Sequence, residues 1–274
     1  MRVEDSIRLV ELRKTDLAGL STCAVKNPKH EGRRRKSAWL ETHFDMGLRL
    51  KTLVGEKGEQ LGMIEYLPGE CAWRGVEAPG YMFIHCLWTY STKLKGTGLG
   101  TRLVRAAAED AKKAGMNGVA VVTREGPWLA GSPVFLKNGF RVVETAPPDY
   151  ELLALKFKRC APDPKFKGGW EKKLRAYGRG LTIVRSNQCP HIAKFADDIA
   201  ALAGTVYKLR PRVVEITNHR EAENAPTPYA VFSVILDGRV LADHPISATR
   251  FRNIMSGLSK GPKPKKAADK SGGV

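Results

Sequence analysis

The sequence predicts a mixed α/β protein in two unequal parts, and three observations carry that reading. Short apolar runs with strand character alternate with apolar stripes at helical spacing along most of the chain. A glycine-rich turn, Lys95-Gly96-Thr97-Gly98-Leu99-Gly100, leads from one apolar stretch straight into the longest helical one. A second strand, helix, strand, hairpin series follows a Pro-, Gly- and Lys-rich segment at 159–180. With 274 residues and 42% apolar content, there is material for two modest cores.

Taken in order, residues 7–13 alternate as a strand does, and Thr15-Asp16 can cap a short helix carrying Leu17 and Leu20. Residues 23–36 are polar and basic, and the run Arg33-Arg34-Arg35-Lys36 reads as a solvated entrance to the next helix rather than as an anion site. That helix is predicted over 37–46, with Gly47 as its stop. Strands at 48–54 and 61–66 flank a turn at Gly55-Glu56-Lys57-Gly58, and residues 81–88 form the strand that feeds the glycine turn. In the helix at 99–115, Leu99, Leu103, Val104, Ala107, Ala108 and Ala111 recur at spacings of three and four, which gives one face to cover a sheet.

The uninterrupted apolar run at 118–123 is expected of an interior parallel strand. A short helix at 132–138 closed by Gly139, then strands at 140–144 and 150–157, complete the first part. The second part reads as a strand at 181–185, a helix at 192–203, and a strand at 213–217. A long strand at 229–236 follows Pro226-Thr227-Pro228, and an Asp237-Gly238 turn returns it as 239–242 before a last helix. The expected division is therefore a first domain at 1–158, a basic linker at 159–180 with one helical turn near 170–177, a second domain at 181–258, and a disordered basic tail at 259–274.

The net charge of +18 invites a nucleic-acid reading, but half of it, +5 and +4, sits in the linker and tail. No basic face interleaved with aromatics accompanies it, so no specific nucleic-acid partner is expected. No apolar run reaches membrane-spanning length and the N-terminus, with Glu4 and Asp5, does not read as a secretory signal, which predicts a cytoplasmic protein without a membrane partner. Five widely spaced cysteines (23, 71, 86, 160, 189) form no Cys-x-x-Cys pair, so free thiols and no structural metal are expected. Nothing specifies an oligomeric state.

Alternating glycines before a helix N-terminus free successive backbone N–H groups to face one anion, and a pyrophosphate would fit. A P-loop would continue Gly-Lys-Ser/Thr where Gly100-Thr101-Arg102 stands here, and a dinucleotide fingerprint would need an early βαβ unit. An ordinary glycine-rich turn is the plainer alternative. Together with the element order, the turn resembles the pyrophosphate loop of the GNAT superfamily of acyl-CoA N-acyltransferases, whose pattern is Gln/Arg-x-x-Gly-x-Gly/Ala. Lys95, Gly98 and Gly100 occupy those positions, with Lys where Arg or Gln is usual. Within that superfamily, His85-Cys86-Leu87-Trp88, Thr145-Ala146-Pro147-Pro148 before Tyr150-Glu151, and Asn187-Gln188-Cys189-Pro190 resemble the YoaP-like bacterial acetyltransferases.

The resemblance implies a GNAT-type mixed sheet with flanking helices plus a smaller thioredoxin-like α/β domain. It implies direct transfer of an acetyl group from acetyl-CoA to an amine on a small molecule or peptide. Backbone amides around Leu87, Trp88 and Thr89 would hold the pantetheine and polarise the carbonyl, and those of Lys95, Gly96, Thr97, Gly98, Leu99 and Gly100 would take the pyrophosphate. Many members place an acidic tyrosine four residues before the Gly-Phe turn, where this chain has Phe135. Tyr150 or Cys86 can stand in for it, or a thiolate leaving group needs no dedicated acid.

His85 is the natural base on that strand, against the plainer reading of a hydrogen-bonded core histidine. Cys86 is either a nucleophile or a small packing residue. Glu65, Glu70 and Glu125 can act through water, and the sequence does not choose among them. In the second domain, Cys189-Pro190-His191-Ile192 resembles the Cys-Pro-x-Cys of glutaredoxins with Ile192 replacing the second cysteine. The helix N-terminus that follows is expected to lower the Cys189 pKa, with Pro228, or else Pro226, as a cis-proline opposite it. A fold kept for packing or substrate recognition is the plainer reading of that domain. The alternative function is a thiol-reactive module whose CoA-binding domain is not catalytic.

Overall fold

The computed structural model describes residues 6–17, 23, 25, 27–90 and 96–259, so Leu20, Lys95 and the predicted tail beyond residue 259 lie outside the described residues. Along the chain the elements are β1 (Arg8–Leu12), α1 (Glu31–Phe44), β2 (Arg49–Val54), β3 (Gln60–Pro68), β4 (Val76–Glu77), β5 (Tyr81–Thr89), α2 (Leu99–Lys113), β6 (Gly118–Thr123), α3 (Pro133–Leu136), β7 (Arg141–Ala146) and β8 (Tyr150–Lys156). There follow β9 (Lys165–Phe166), α4 (Trp170–Arg175), β10 (Leu181–Ser186), α5 (Ile192–Tyr207), β11 (Arg212–Ile216), α6 (His219–Glu223), β12 (Phe232–Leu236), β13 (Arg239–Ala242) and α7 (Ala248–Ser259).

Seven strands form a mixed sheet in the order β1-β2-β3-β5-β6-β8-β7, in which only β5 and β6 run parallel. Four more form a second sheet, β11-β10-β12-β13, with β10 parallel to β11 and antiparallel to β12. The central strands of the large sheet are apolar on both faces because both are covered. Leu99, Leu103, Val104, Ala107 and Ala111 of α2 lie on one face, against Tyr66, Ile84 and Val121. On the other face, Met63, Phe83, Val122 and Leu152 join Trp39 and Leu40 of α1 and Ile183 and Phe232 of the second sheet in one continuous core.

Three expectations are corrected. The basic run is not a solvated entrance: α1 starts at Glu31, and Arg33, Lys36, Leu40 and His43, spaced by three and four, lie on its buried face. Lys36 is wholly buried, a placement that charge alone argues against and only an ion partner explains. The strand predicted from residue 229 starts at Phe232, because Ala230 has a left-handed φ of +67° that breaks the extended run. Neither Pro226 nor Pro228 follows a cis bond, and the cis peptide among the described residues is Pro147-Pro148.

Residues 159–180 are tied to the large sheet. The β9 strand pairs with β4, the Tyr81 hydroxyl donates to the Pro162 carbonyl at 2.8 Å, and Arg141 pairs with Asp163.

Candidate active site

The glycine turn has the geometry its composition suggests. Gly96 and Gly98 hold φ of +89° and +83°, and α2 begins at Leu99. No atom of the other described residues stands within 4 Å of where a Cβ would lie at either glycine, so backbone conformation is the reason these positions suit glycine. The Asn138 amide ties α3 to α2 by donating to the Val134 carbonyl at 2.7 Å and the Thr101 hydroxyl at 3.2 Å.

Beside this turn the sheet opens. The β5–β6 ladder runs from Tyr81↔Gly118 to Ile84↔Val121 and stops there, although both strands continue. On its other edge β5 stays paired to β3, but Glu65 opposes Cys86 while Tyr66 opposes Ile84, which leaves His85 as an extra, bulged residue. The bulge shifts the alternation: Ile84 faces α2, Cys86 faces the opposite core, and Leu87 returns to the α2 side. Trp88 and Thr89 are exposed beyond it. The backbone of Leu87–Thr89 therefore lies along the stretch of β5 that β6 leaves unpaired.

His85 is buried at this bulge, with one ring nitrogen hydrogen-bonded and the other near Glu65 but without a hydrogen-bond partner among the described residues. The Trp73 backbone N–H donates to Nε2 at 2.9 Å, so Nε2 is an acceptor and the proton is on Nδ1, which faces Glu65 Oε1 at 3.5 Å. At that length the second contact is electrostatic rather than a full hydrogen bond. Burial pushes the imidazole down to about 4 against the pull of Glu65.

Glu65 has no solvent exposure: Lys36 Nζ donates to its Oε2 at 2.5 Å and Gln188 Nε2 to its Oε1 at 3.0 Å. Burial alone would raise the carboxyl, but Lys36 and His85 outweigh it and hold it at about 2. Cys86 is half-buried with its Sγ 3.9 Å from Cys23 Sγ. Lys36 and Gln188 escape a reading of the sequence because each resembles an ordinary polar surface residue until the fold places it beside Glu65.

Cys189 corrects an expectation. It lies between β10 and α5 as predicted, but burial pushes its thiol up to about 12, and a hydrogen bond with the His191 backbone does not reverse that. Glu70 is engaged by the Gly80 N–H at 2.6 Å. Phe135 is buried against Phe140 and offers no acid.

Tyr150, fully buried at the start of β8, stands opposite the carboxyl end of β6 and lines a cavity of about 900 Å³ together with Arg124, Glu125 and Ser132. Arg124 gathers this corner: its guanidinium stacks over the Tyr150 ring, Nη1 donates to the Tyr150 hydroxyl at 3.1 Å and to Asp243 Oδ1 at 2.8 Å, and Nε pairs with Asp149 at 2.7 Å. Burial, and secondarily Asp243, keep the phenol protonated far into alkaline pH. Asp243 and His244, adjacent in sequence with Oδ1 and Nδ1 2.7 Å apart, carry no signal in the sequence and come to this corner only through the packing of the second sheet. Among the described residues no cluster of His, Cys, Asp or Glu fits a metal ion, and no helix is long and apolar enough to cross a membrane.

Comparison with known proteins matches residues 18–140 to the acetyltransferase (GNAT) family and residues 212–253 to the YoaP-like family. The chain is 30% identical over 241 residues to the uncharacterized N-acetyltransferase YoaP of Bacillus subtilis, covering 86% of this chain and 93% of that one. Among solved structures, the IAA acetyltransferase from Bacillus cereus is 19% identical, with a TM-score of 0.36 over 56% of this chain and all of that one. A GNAT family acetyltransferase from Brucella melitensis in complex with acetyl-CoA is 17% identical, with a TM-score of 0.36 over 58% and 95%. Both likenesses are too distant to bear on chemistry. The 30% identity to YoaP over 86% of the chain, together with the two family matches, places this chain in the GNAT acetyltransferase family with a C-terminal YoaP-like region.

Proposed function

We propose that the protein moves an acetyl group from acetyl-CoA to an amine by direct transfer, with the C-terminal, thioredoxin-like region helping to recognise the acceptor. The observation that carries this reading is the gap between β5 and β6 opening beside the left-handed glycine turn. The cosubstrate supplies an acyl thioester whose carbonyl oxygen gains charge as the amine adds. The amides of Leu87–Thr89 lie along the gap and are suited to polarising that oxygen, while those of residues 96–100, at the positive end of α2, are suited to a pyrophosphate.

With the Nε2 lone pair of His85 taken by the Trp73 backbone N–H, its part is to hold the bulge rather than to accept a substrate proton. Burial raises the Tyr150 phenol, so it keeps its proton at working pH and its hydroxyl can relay a proton to the departing thiolate rather than act as a free acid. The alternative of a thiol-reactive module is less favoured, because desolvation raises the thiol of half-buried Cys189 rather than lowering it.

Isothermal titration with acetyl-CoA tests the reading. Micromolar binding by the native chain and at least tenfold weaker binding by Gly98→Val are expected, because a β-branched residue cannot hold that φ. Equal affinity in both would reject the site.

A further inference from the structure

We propose that the crevice between the two sheets is the acceptor site, and that His244, oriented by Asp243, takes the proton from the acceptor amine; this rests on the acetyl-transfer reading above. The crevice, of about 480 Å³, is walled by Trp170, Leu174, Pro228, Val240, Ile246 and Ile254. Its polar groups are Arg124, Asp243 and His244 from the sheet corner and Arg250 from α7. Arg124, Pro147 and Pro148 also line the larger cavity, so the two spaces share a wall just past the carboxyl end of β6, the strand whose other side has parted from β5.

At that junction the geometry singles out one nitrogen. Asp243 is buried, and its Oδ1 accepts from Arg124 and lies 2.7 Å from His244 Nδ1. A carboxylate at that distance sets the tautomer, because it can only accept: the proton sits on Nδ1 and Nε2 keeps a free lone pair. Arg124 Nη1, 3.2 Å from Nδ1, crowds the ring but competes for the same carboxylate rather than for Nε2. His85 has no such lone pair to offer, since a backbone N–H occupies its Nε2. Tyr150 and His244 converge on the same guanidinium nitrogen, which brings an oxygen that keeps its proton and a nitrogen that can take one to a single corner.

The step balances as follows. His244 Nε2 takes one proton from the ammonium form of the acceptor, and the freed lone pair forms the N–C bond to the thioester carbonyl carbon. The C–S bond breaks, the second amine proton ends on the departing sulfur by way of the Tyr150 hydroxyl, and His244 returns its proton to solvent. An ammonium ion and an acetyl thioester thus become an amide, a thiol and one released proton. Apolar walls and two arginines disfavour polycations and suit a primary amine with one compact apolar body.

The test uses the full chain with acetyl-CoA and phenethylamine, following thiol release, with acetyl-CoA affinity measured separately. His244→Ala is expected to lower kcat about 100-fold with unchanged acetyl-CoA affinity and to recover partly on addition of imidazole. Val240→Trp, at a partly exposed position on the crevice wall, is expected to raise the KM for the amine about tenfold or more and leave acetyl-CoA affinity alone, and it carries the test if His244→Ala loses its fold. A native chain that binds acetyl-CoA but acetylates spermidine and not phenethylamine, or acetylates neither, overturns the proposal, as does native turnover in His244→Ala or an unchanged KM in Val240→Trp. A native chain that does not bind acetyl-CoA overturns the acetyl-transfer reading itself, and this proposal with it.

Discussion

The molecule contains two turns of the same construction, each leading from a strand into a long helix, and they have opposite properties. At Gly96 and Gly98, between β5 and α2, no other described residue comes within 4 Å of where a Cβ would lie, and α2 starts directly after them. Asn187–His191 between β10 and α5 is packed against α1: Pro190 lies so close to it that a Cβ on Gly32 would fall 1.8 Å from its carbonyl oxygen, and Gln188 is bonded to Glu65. The hydrogen bond with the His191 backbone does favour the Cys189 thiolate, yet burial outweighs it. A helix N-terminus stabilises an anion only where the anion is not also stripped of solvent.

That packing depends most on the Lys36–Glu65 pair. Lys36→Met would leave Glu65 charged, buried and short of its principal partner, and is expected to cost about 3–5 kcal/mol in urea unfolding at pH 7. A loss below about 1 kcal/mol would mean that Gln188 and His85 alone satisfy the carboxylate.

Acid should open the same region. His85 has its pKa lowered to about 4 in the fold, so the unfolded chain, with a histidine near 6.5, binds more protons between those values. Stability is therefore complete above about pH 6.5 and falls as the pH drops toward 4, by on the order of 3 kcal/mol from this residue. Glu65, depressed to about 2, extends the loss below its unfolded value of roughly 4.3. A urea midpoint that is the same at pH 7 and pH 4.5 would contradict the buried, neutral assignment of His85.

The smallest test makes one substitution in both turns. Gly32→Ala must push α1 from the Cys189 turn, for an expected loss of roughly 1–3 kcal/mol and faster alkylation of Cys189 by iodoacetamide at pH 7. Gly98→Ala meets no neighbour among the described residues and should lose the roughly 1–2 kcal/mol of a left-handed L-residue, with no change at Cys189. In the native chain exposed Cys160 should react well before Cys189. Equal labelling of Cys189 in native and Gly32→Ala protein would show that α1 is not what shields it.

Local pattern was enough for most of the architecture. The apolar stripe of α2, the continuous run of β6 and the alternating glycines each follow from short-range rules, and all three appear within a residue or two of where they read. The glycine turn was legible because its requirement, a positive φ, is a property of single residues. The start of α1 was not, since a run of four cations looks solvated until a carboxylate from β3 is brought to Lys36.

By itself the sequence determined the order of elements, the residues that can only be turns, and the strand that feeds the glycine loop, all of which depend on neighbours along the chain. The tertiary structure decided which polar groups lost water and which partner each then met. It half-buried Cys189, put a backbone N–H on one nitrogen of His85, and carried Asp243 and His244 to Arg124 across 119 and 120 residues. Desolvation and charge pairing are properties of surroundings in space, and the chain specifies them only once it is folded.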